Sequence, residues 1–306
     1  MVCGLGIRVT RRFALNASAK PWSINDSPKI AAVLVNWRQP IRTLEAVQAL
    51  NAQSFRPLII VVDNGSGDNS AEILARQLPE DALLVLRDTN GGFGAGCNAG
   101  IKKAISLGAD YIWLINNDAS PEVDSLERML AVLMGRKEIG IVGANIKDPS
   151  LTVPDHAGTV MSRFAFNCRY TLADDDLDGD KYAWITGACM LLPVPALKKV
   201  GMFDESYFMY WEDADLCSRF RAAGYSLRVA ARAIVHHSAG TSSDHLRLQR
   251  FEWHYRSQTR WIQKNYPWKI FGKTIVSMRH LIKSMLTLDW PRFLLSLKLS
   301  LQVWRS

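Results

Sequence analysis

The chain has 306 residues, 48% of them hydrophobic and 22% charged, with five cysteines and a formal net charge of +8. This is a globular profile with room for one large core, or a core with an appendage, and no run approaches the ~20 apolar residues that a bilayer span needs, which argues against an integral membrane protein. Cys3, Cys97, Cys168, Cys189 and Cys217 form no C-x-x-C pair, which argues against a zinc ribbon or a disulfide framework and for a reducing compartment.

Residues 1–28 are basic, with Arg8, Arg11, Arg12 and Lys20, and carry no apolar core of signal-peptide length, so a poorly ordered extension is expected there. From Lys29 the pattern alternates. Continuous aliphatic runs predict strands at 30–35, 58–62, 82–86 and 111–115, separated by helical spacing over 41–51, 70–77 and 95–107. Strands apolar on both faces predict a mostly parallel sheet covered by helices on either side, an α/β fold. Beyond Ser120 the alternation weakens. A helix over 122–134, with Ser120-Pro121 at its start, leads to a strand at 139–143. The acidic stretch from Asp174 to Asp180 lacks EF-hand spacing and reads as a solvated loop. Residues 182–192 read as strand or buried turn, 212–223 as a helix ended by Gly224, and 227–235 as a strand. From Arg247 onward twelve Lys or Arg stand against Glu252 and Asp289, so this tail holds a net +10 and the rest of the chain −2.

In sheets of this kind ligands bind beyond the carboxyl ends of the strands. Asn36-Trp37, Asp63-Asn64-Gly65-Ser66, the glycine cluster from Asn90 to Gly100 and Asn116-Asn117-Asp118 all fall there. The glycine cluster can bring backbone N–H groups to a pyrophosphate. Its segment Gly94-Ala95-Gly96-Cys97-Asn98-Ala99 fits the loose dinucleotide pattern but follows the third strand, and tightening of helix on sheet is the structural alternative. Asp63 can accept from ribose hydroxyls or a nucleobase imide, or simply close a turn. Asp118 can hold Mg²⁺ or Mn²⁺ against a diphosphate, since these hard cations prefer oxygen ligands.

In Tyr210-Trp211-Glu212-Asp213-Ala214-Asp215 three acids open a helix, where the macrodipole favours them. The aromatic residues before them would also make a sugar-stacking wall beside a carboxylate of raised pKa, suited to act as a base. His236-His237 follow the strand at 227–235 and face opposite sides of it, so at most one of the two is expected to reach the crevice.

In this order these clusters resemble family 2 of the inverting glycosyltransferases, with the GT-A fold, and within it the rhamnosyltransferase-like members that act on bacterial cell-surface polysaccharide. The resemblance runs over residues 29–242 and rests on Asp63-Asn64-Gly65-Ser66, on Asn90 to Asn98, on Asn116-Asn117-Asp118, on Thr186-Gly187-Ala188, and on Phe203-Asp204-Glu205 through Glu212-Asp213. It implies a GT-A (nucleotide-diphospho-sugar transferase) catalytic domain over 29–245 with a Rossmann-like, mostly parallel sheet, followed by a basic, aromatic-rich helical tail over 246–306. It further implies that Asp63 binds the base or ribose of the donor, and that Asn36, Asn64, Asn90, Gly91, Gly92, Phe93, Asn98 and Asn117 line the donor pocket. Asp118 would be the last carboxylate of the D-x-D metal motif. His237, in the pattern H-x-x-G-x-S, would complete the Mg²⁺ or Mn²⁺ site, with His236 as the fallback. Asp213 is implied as the catalytic base with Glu212 beside it, and Trp211, Gly187 and Ala188 as acceptor contacts. Asn116 replaces the first Asp of D-x-D and leaves one carboxylate for the metal, which predicts a weak metal dependence.

The implied function is inverting hexosyl transfer from a nucleoside-diphosphate sugar, dTDP-rhamnose or a UDP-sugar, to a hydroxyl of a cell-surface glycan or lipid-linked acceptor. A non-catalytic carbohydrate-binding relative of the same fold, a nucleotidyltransferase and an NAD-dependent oxidoreductase are the alternatives. Trp and Tyr interleaved with the cations of the tail, and amphipathic spacing over 293–299, predict a peripheral contact of a cytoplasmic enzyme with the inner face of the cytoplasmic membrane. A helical appendage or a homodimer contact is the alternative. No nucleic-acid motif accompanies the charge.

Overall fold

The computed structural model describes residues 7–9, 28–148, 156–164, 166–172, 177–237 and 246–305. β1 (Ile7–Val9) pairs antiparallel with an edge of the central sheet, so part of the N-terminal segment is an added strand where a poorly ordered extension was expected. The centre of that sheet is four parallel strands, β2 (Ile30–Asn36), β3 (Leu58–Asp63), β4 (Leu83–Arg87) and β5 (Tyr111–Ile115). Their aliphatic runs are buried on both sides, with α1 (Pro40–Asn51), α2 (Ser70–Gln77) and α3 (Phe93–Ser106) as the connections. Their order is β4-β3-β2-β5: the chain steps outward twice from β2 and then returns to its other side. That reversal opens a crevice past the carboxyl ends of β2 and β5.

α3 starts two residues before the expected Ala95, and its glycines pack rather than bend. A Cβ on Gly96 would stand 2.7 Å from Val35 Cγ1, and one on Gly100 would overlap Val33. The dinucleotide-like spacing here brings helix onto sheet, while Gly91 and Gly92 stay in the loop before the helix.

Beyond β5 the sheet is mixed. β6 (Ala119–Pro121) is a short strand, which corrects the expectation that Ser120-Pro121 begins a helix; α4 (Ser125–Leu133) starts after Asp124 instead. Ser120-Pro121 are drawn into the sheet because Glu122 N–H and Ser125 Oγ both donate to Ile234 O, at 3.0 and 2.7 Å. β7 (Ile139–Lys147) lies further along the same sheet. β8 (Gly158–Met161) and β9 (Cys168–Thr171) pair with β10 (Ala183–Ile185) in a separate three-stranded sheet of order β10-β8-β9. The run 182–192 thus resolves into β10, a turn at Thr186-Gly187-Ala188, and β11 (Cys189–Pro193), which lies antiparallel between β5 and β7.

After α5 (Val194–Val200) and α6 (Glu212–Ala222), β12 (Ser226–His237) runs parallel to β7 with a register slip between Ala230 and Ile234. Its end pairs with β6, His237 standing opposite Ala119. Of the acidic stretch, residues 174–176 lie outside the described residues. Asp178 ties down β12 rather than lying free in solvent, accepting from Leu227 N–H at 2.8 Å and from the Arg228 guanidinium.

α7 (Arg247–Asn265), α8 (Lys269–Leu286) and α9 (Trp290–Arg305) form the C-terminal helical part. α7 is stapled to α6 through Asp215, which is 1% exposed and accepts from Arg219 Nε at 2.8 Å and Lys264 Nζ at 2.7 Å. Of the three acids at the start of α6, this one is therefore a structural anchor. A buried carboxylate held by two cations resists loss of either partner strongly, since an unpaired charge would remain.

Candidate active site

Strand order sets the site residues in a row along the carboxyl edge of the sheet. Asp63, at the end of β3, is 4% exposed and accepts from Asn36 Nδ2 at 2.7 Å, Ser66 Oγ at 2.6 Å and Ser66 N–H at 3.2 Å. Asn36 is wholly buried, and its amide oxygen takes the Thr43 hydroxyl at 2.8 Å, so its side chain orients Asp63 instead of facing the crevice. Asn117 Nδ2 joins the same network, donating to Thr43 Oγ1 at 3.1 Å.

The glycine loop is fastened from two sides. Asn64 Nδ2 donates to Asn90 Oδ1 at 3.0 Å and to Gly92 O at 2.9 Å, and Asn90 Oδ1 also takes Gly92 N–H at 2.9 Å. Gly92 has φ +91°, and a Cβ there would overlap the Phe208 carbonyl, which also accepts Phe93 N–H at 2.9 Å. Only glycine fits that approach. Asn98 lies one turn further on, where its amide binds Phe203 O at 2.9 Å, Phe203 N–H at 3.0 Å and Glu205 Oε1 at 2.9 Å. Asn64 and Asn98 thus lock the loop and the segment before α6 together.

At the end of β5 the β6–β12 ladder carries His237 back to Asp118, with His237 Nε2 at 3.1 Å from Asp118 Oδ1 and 3.2 Å from Asn116 Nδ2. His236, on the opposite side of the strand, has a half-exposed side chain 3.5 Å from Glu122 Oε1. The Gly240 and Ser242 of the H-x-x-G-x-S pattern lie outside the described residues. Asp118 Oδ1 and Asn116 Oδ1 are buried without a hydrogen-bond partner. Asn116 turns its Nδ2, not this oxygen, to His237, so the carboxylate–imidazole pair of Asp118 and His237 is the donor set that suits a divalent cation.

The segment that carries Glu212 and Asp213 enters α6 through two consecutive aromatic residues in left-handed backbone, Tyr210 at φ +67° and Trp211 at φ +69°. Such conformations cost about 1–3 kcal/mol each and persist only where packing over-determines them. Trp211 is held by Trp184 and Trp261, with ring centroids at 5.0 and 5.4 Å, and by a hydrogen bond from its Nε1 to His254 Nε2 at 3.3 Å. The turn aims Asp213 at the crevice, where its Oδ2 accepts Gly187 N–H at 2.9 Å and its Oδ1 accepts Ala214 N–H at 2.8 Å. Burial raises the Asp213 pKa, and these N–H donors pull it back down. Burial, and then the Asp213 charge, raise Glu212, whose Oε2 is buried with no partner. The two carboxyls are thereby told apart: Asp213 is equipped to carry charge and Glu212 to stay protonated.

Because Glu212 holds its proton above the ordinary glutamate value of 4.5, the fold binds more protons than the unfolded chain from that pH upward, and its stability falls as pH rises through this window. Glu212→Gln removes the titrating group. The variant should therefore melt progressively higher than wild type as pH is raised from about 5 to about 8; melting curves that stay a constant distance apart would contradict the assignment.

A cavity of about 590 Å³ joins these features. Its wall takes Phe93 from α3, Asn116 from the end of β5, Gly187 and Ala188 from the β10–β11 turn, Glu212 and Asp213 from α6, and His237 from β12. Asp63, Asn64, Asn90 and Asn98 do not line it. Three parts of the wall had no sequence signal: Thr159 on β8, Cys168, Arg169 and Tyr170 on β9, and His254 on α7. His254 is pushed down to about 4 by burial and then by the Arg292 and Arg279 charges, and so stays neutral to accept from Trp211. In the sequence it is a single histidine in a cation-rich helix, and only the fold brings it to Trp211.

A family model described as "Glycosyltransferase like family 2" matches residues 28–256. An N-acetylglucosaminyl-diphospho-decaprenol L-rhamnosyltransferase of Mycobacterium tuberculosis is 26% identical over 216 residues, covering 62% of this chain and 70% of its own. The galactofuranosyltransferase GlfT1 of the same organism is 28% identical over 222 residues, covering 69% and 71%. Among solved structures, a mannosyltransferase of Pyrobaculum calidifontis in complex with GDP-Man and Mn²⁺ superposes with a TM-score of 0.59 at 14% identity, over 92% of this chain and 76% of its own. That last likeness is one of fold, and it is the GT-A fold.

Proposed function

The chain belongs to the family described as glycosyltransferase like family 2, and from that premise we propose that it transfers a sugar, with inversion, from dTDP-rhamnose or a UDP-sugar to a hydroxyl of a lipid-linked or cell-surface glycan at the inner face of the cytoplasmic membrane. The observation that carries this reading is the shared cavity, lined by Asp213, which two backbone N–H groups fix, and by Asn116 and His237. Asp213 Oδ takes the proton of the acceptor hydroxyl. The acceptor oxygen forms its bond to the anomeric carbon from the face opposite the breaking bond to the diphosphate, and the nucleoside diphosphate leaves with that bond's electron pair.

Asp118, Asn116 and His237 are the residues that would hold Mg²⁺ or Mn²⁺, and the ion would supply charge stabilisation to the leaving diphosphate. Asp63, with Asn36 and Ser66 fixing its carboxylate, would receive the donor's ribose or base, and the Gly91-Gly92 loop would face its phosphates. Gly187, Ala188 and Trp211 lie on the acceptor side. The division of labour follows: residues 29–245 do the chemistry and the helices after them bring it to its acceptor. The relatives named for rhamnosyl and galactofuranosyl transfer support the activity, and the one named for a diphospho-decaprenol saccharide supports a lipid-linked acceptor.

A panel of nucleotide sugars, assayed by release of nucleoside diphosphate in the presence of lipid-linked saccharide, tests the reading. Consumption of dTDP-rhamnose or a UDP-sugar is expected, with a product whose anomeric configuration is opposite to the donor's by NMR. Retention of configuration, or turnover of none of the panel, would reject it.

A further inference from the structure

The two last helices are built inside out. A surface helix of a globular protein normally turns its apolar stripe to the core and its polar face to water. On α8 the outward stripe is Phe271, Met278, Ile282, Met285 and Leu286, each 46–75% exposed, at the spacing that places them on one side of a helix. On α9 it is Trp290, Leu294, Leu297 and Leu301, each 42–63% exposed. Beside Val276 and Leu299, the inward side is made of small and hydroxyl residues. Ser277, Ser284, Ser296 and Ser300 are buried, and Tyr255 OH on α7 bridges Ser277 Oγ at 2.6 Å and Ser300 Oγ at 3.1 Å. Small and hydroxyl-bearing residues between helices with large apolar residues outside is the arrangement of helices whose surroundings are lipid.

Two further observations say what covers this face. Among the described residues no helix is long and apolar enough to cross a membrane, so a lipid contact of this hairpin would run along a surface rather than through it. From Trp268 to Arg305 seven Lys or Arg stand against Asp289, and that acid is held by Arg247. Arg279 and Lys283 edge an apolar groove of about 540 Å³ on α8 that Met278, Ile282 and Leu286 also line. Trp268 and Trp290, 60% and 57% exposed, stand at the heads of the two helices, the placement tryptophan takes at a membrane–water boundary.

We propose that the outward faces of α8 and α9 form a docking surface for an anionic lipid bilayer, with the Phe, Ile, Met, Leu and Trp stripe entering the acyl boundary and the flanking cations meeting lipid phosphates. This deepens the reading that the acceptor is lipid-linked, because the face adjoins the catalytic cavity. Arg279 Nη1 donates to Phe166 O at 2.9 Å, two residues before the cavity-lining Cys168. A membrane-embedded acceptor would thus present its headgroup on the side of the molecule where the cavity wall lies.

Cosedimentation of the full chain with phosphatidylcholine vesicles, with and without phosphatidylglycerol, tests the surface. Wild type should bind the anionic vesicles, lose binding as salt is raised, and bind neutral vesicles at least tenfold more weakly. A Met278→Gln/Ile282→Gln/Leu286→Gln variant, altered only at exposed positions, should keep its melting temperature and its nucleotide affinity yet bind anionic vesicles at least tenfold more weakly. Wild type that stays in the supernatant, a variant that binds as wild type does, or equal binding to neutral vesicles would overturn the proposal. So would a wild-type dimer in solution that the variant converts to monomer without any vesicle binding by either. Full vesicle binding by a chain that turns over no nucleotide sugar would reject the transferase reading and leave the docking surface intact.

Discussion

Asp213→Asn should lower the rate of sugar transfer by about 10²–10⁴-fold, the contribution of a positioned base, while leaving the affinity for UDP or dTDP close to that of wild type. The substitution keeps the size of the side chain and an oxygen able to accept Ala214 N–H, so the turn from Trp211 into α6 stays packed on Trp184 and Trp261. What it removes is the negative charge, together with the second oxygen, Oδ2, that accepts Gly187 N–H. The residues assigned to the nucleotide, Asp63 and the Gly92 loop, lie outside the cavity wall to which Asp213 belongs, so binding is separable from chemistry. Burial holds the Asp213 pKa above its ordinary 3.8. A base must be ionised, so wild-type kcat/KM should rise with pH along an acid limb displaced above the usual aspartate range, and the residual activity of the variant should lack that limb. Glu212→Gln keeps the neutral form that burial already imposes on Glu212 and should retain far more activity than Asp213→Asn. Transfer by Asp213→Asn within tenfold of wild type, or a reversed order of the two variants, would move the base elsewhere.

Sequence reasoning reached the parts of this molecule whose physics is local. The runs at β2, β3 and β5 are aliphatic on both faces and so declare buried parallel strands, and the polar residues just past them mark one edge of one sheet. His236 and His237 could be narrowed to one by strand alternation, and the β6–β12 pairing places His237 at Asp118. What stayed out of reach depends on partners far along the chain. Asp215 has the spacing of any acid at a helix start, and becomes a buried anchor only when Lys264 arrives from α7. Asn36 and Asn98 stand where donor contacts were expected, yet their amides are spent on Asp63 and on Phe203. Gly94 and Gly96 satisfy a dinucleotide-loop spacing for a reason of packing, against Phe203 and Val35, as Gly100 packs against Val33 one turn on. Arg169 and Tyr170 reach the cavity on a strand of the small sheet that no periodicity announced.

Asp118→Asn should abolish the stimulation that Mn²⁺ gives and reduce transfer by up to about 10²-fold, less than the full several kcal/mol a tightly held cation contributes to a departing diphosphate, because a single carboxylate holds the ion here. Asp118 is the one carboxylate of its cluster, since Asn116 stands where the family pattern has an acid. Its buried Oδ1 is without a hydrogen-bond partner, as is Asn116 Oδ1, and His237 Nε2 lies 3.1 Å from the former. A buried oxygen left unpaired costs stability unless a ligand satisfies it. Replacing the carboxylate by an amide keeps the shape and removes the negative charge of Asp118. Titration of UDP or dTDP by calorimetry should then give the variant, with Mn²⁺ present, the affinity that wild type has in EDTA. Asn116→Asp supplies the second carboxylate and should act in the opposite direction, tightening Mn²⁺ binding as read by the free-ion EPR signal. His237→Ala removes a neutral ligand and leaves the charge, so its loss should fall between those of wild type and Asp118→Asn. If wild type transfers sugar equally well in EDTA, or if Asp118→Asn keeps its response to Mn²⁺, the two orphaned oxygens serve the sugar or its phosphates directly and the ion has no place among them.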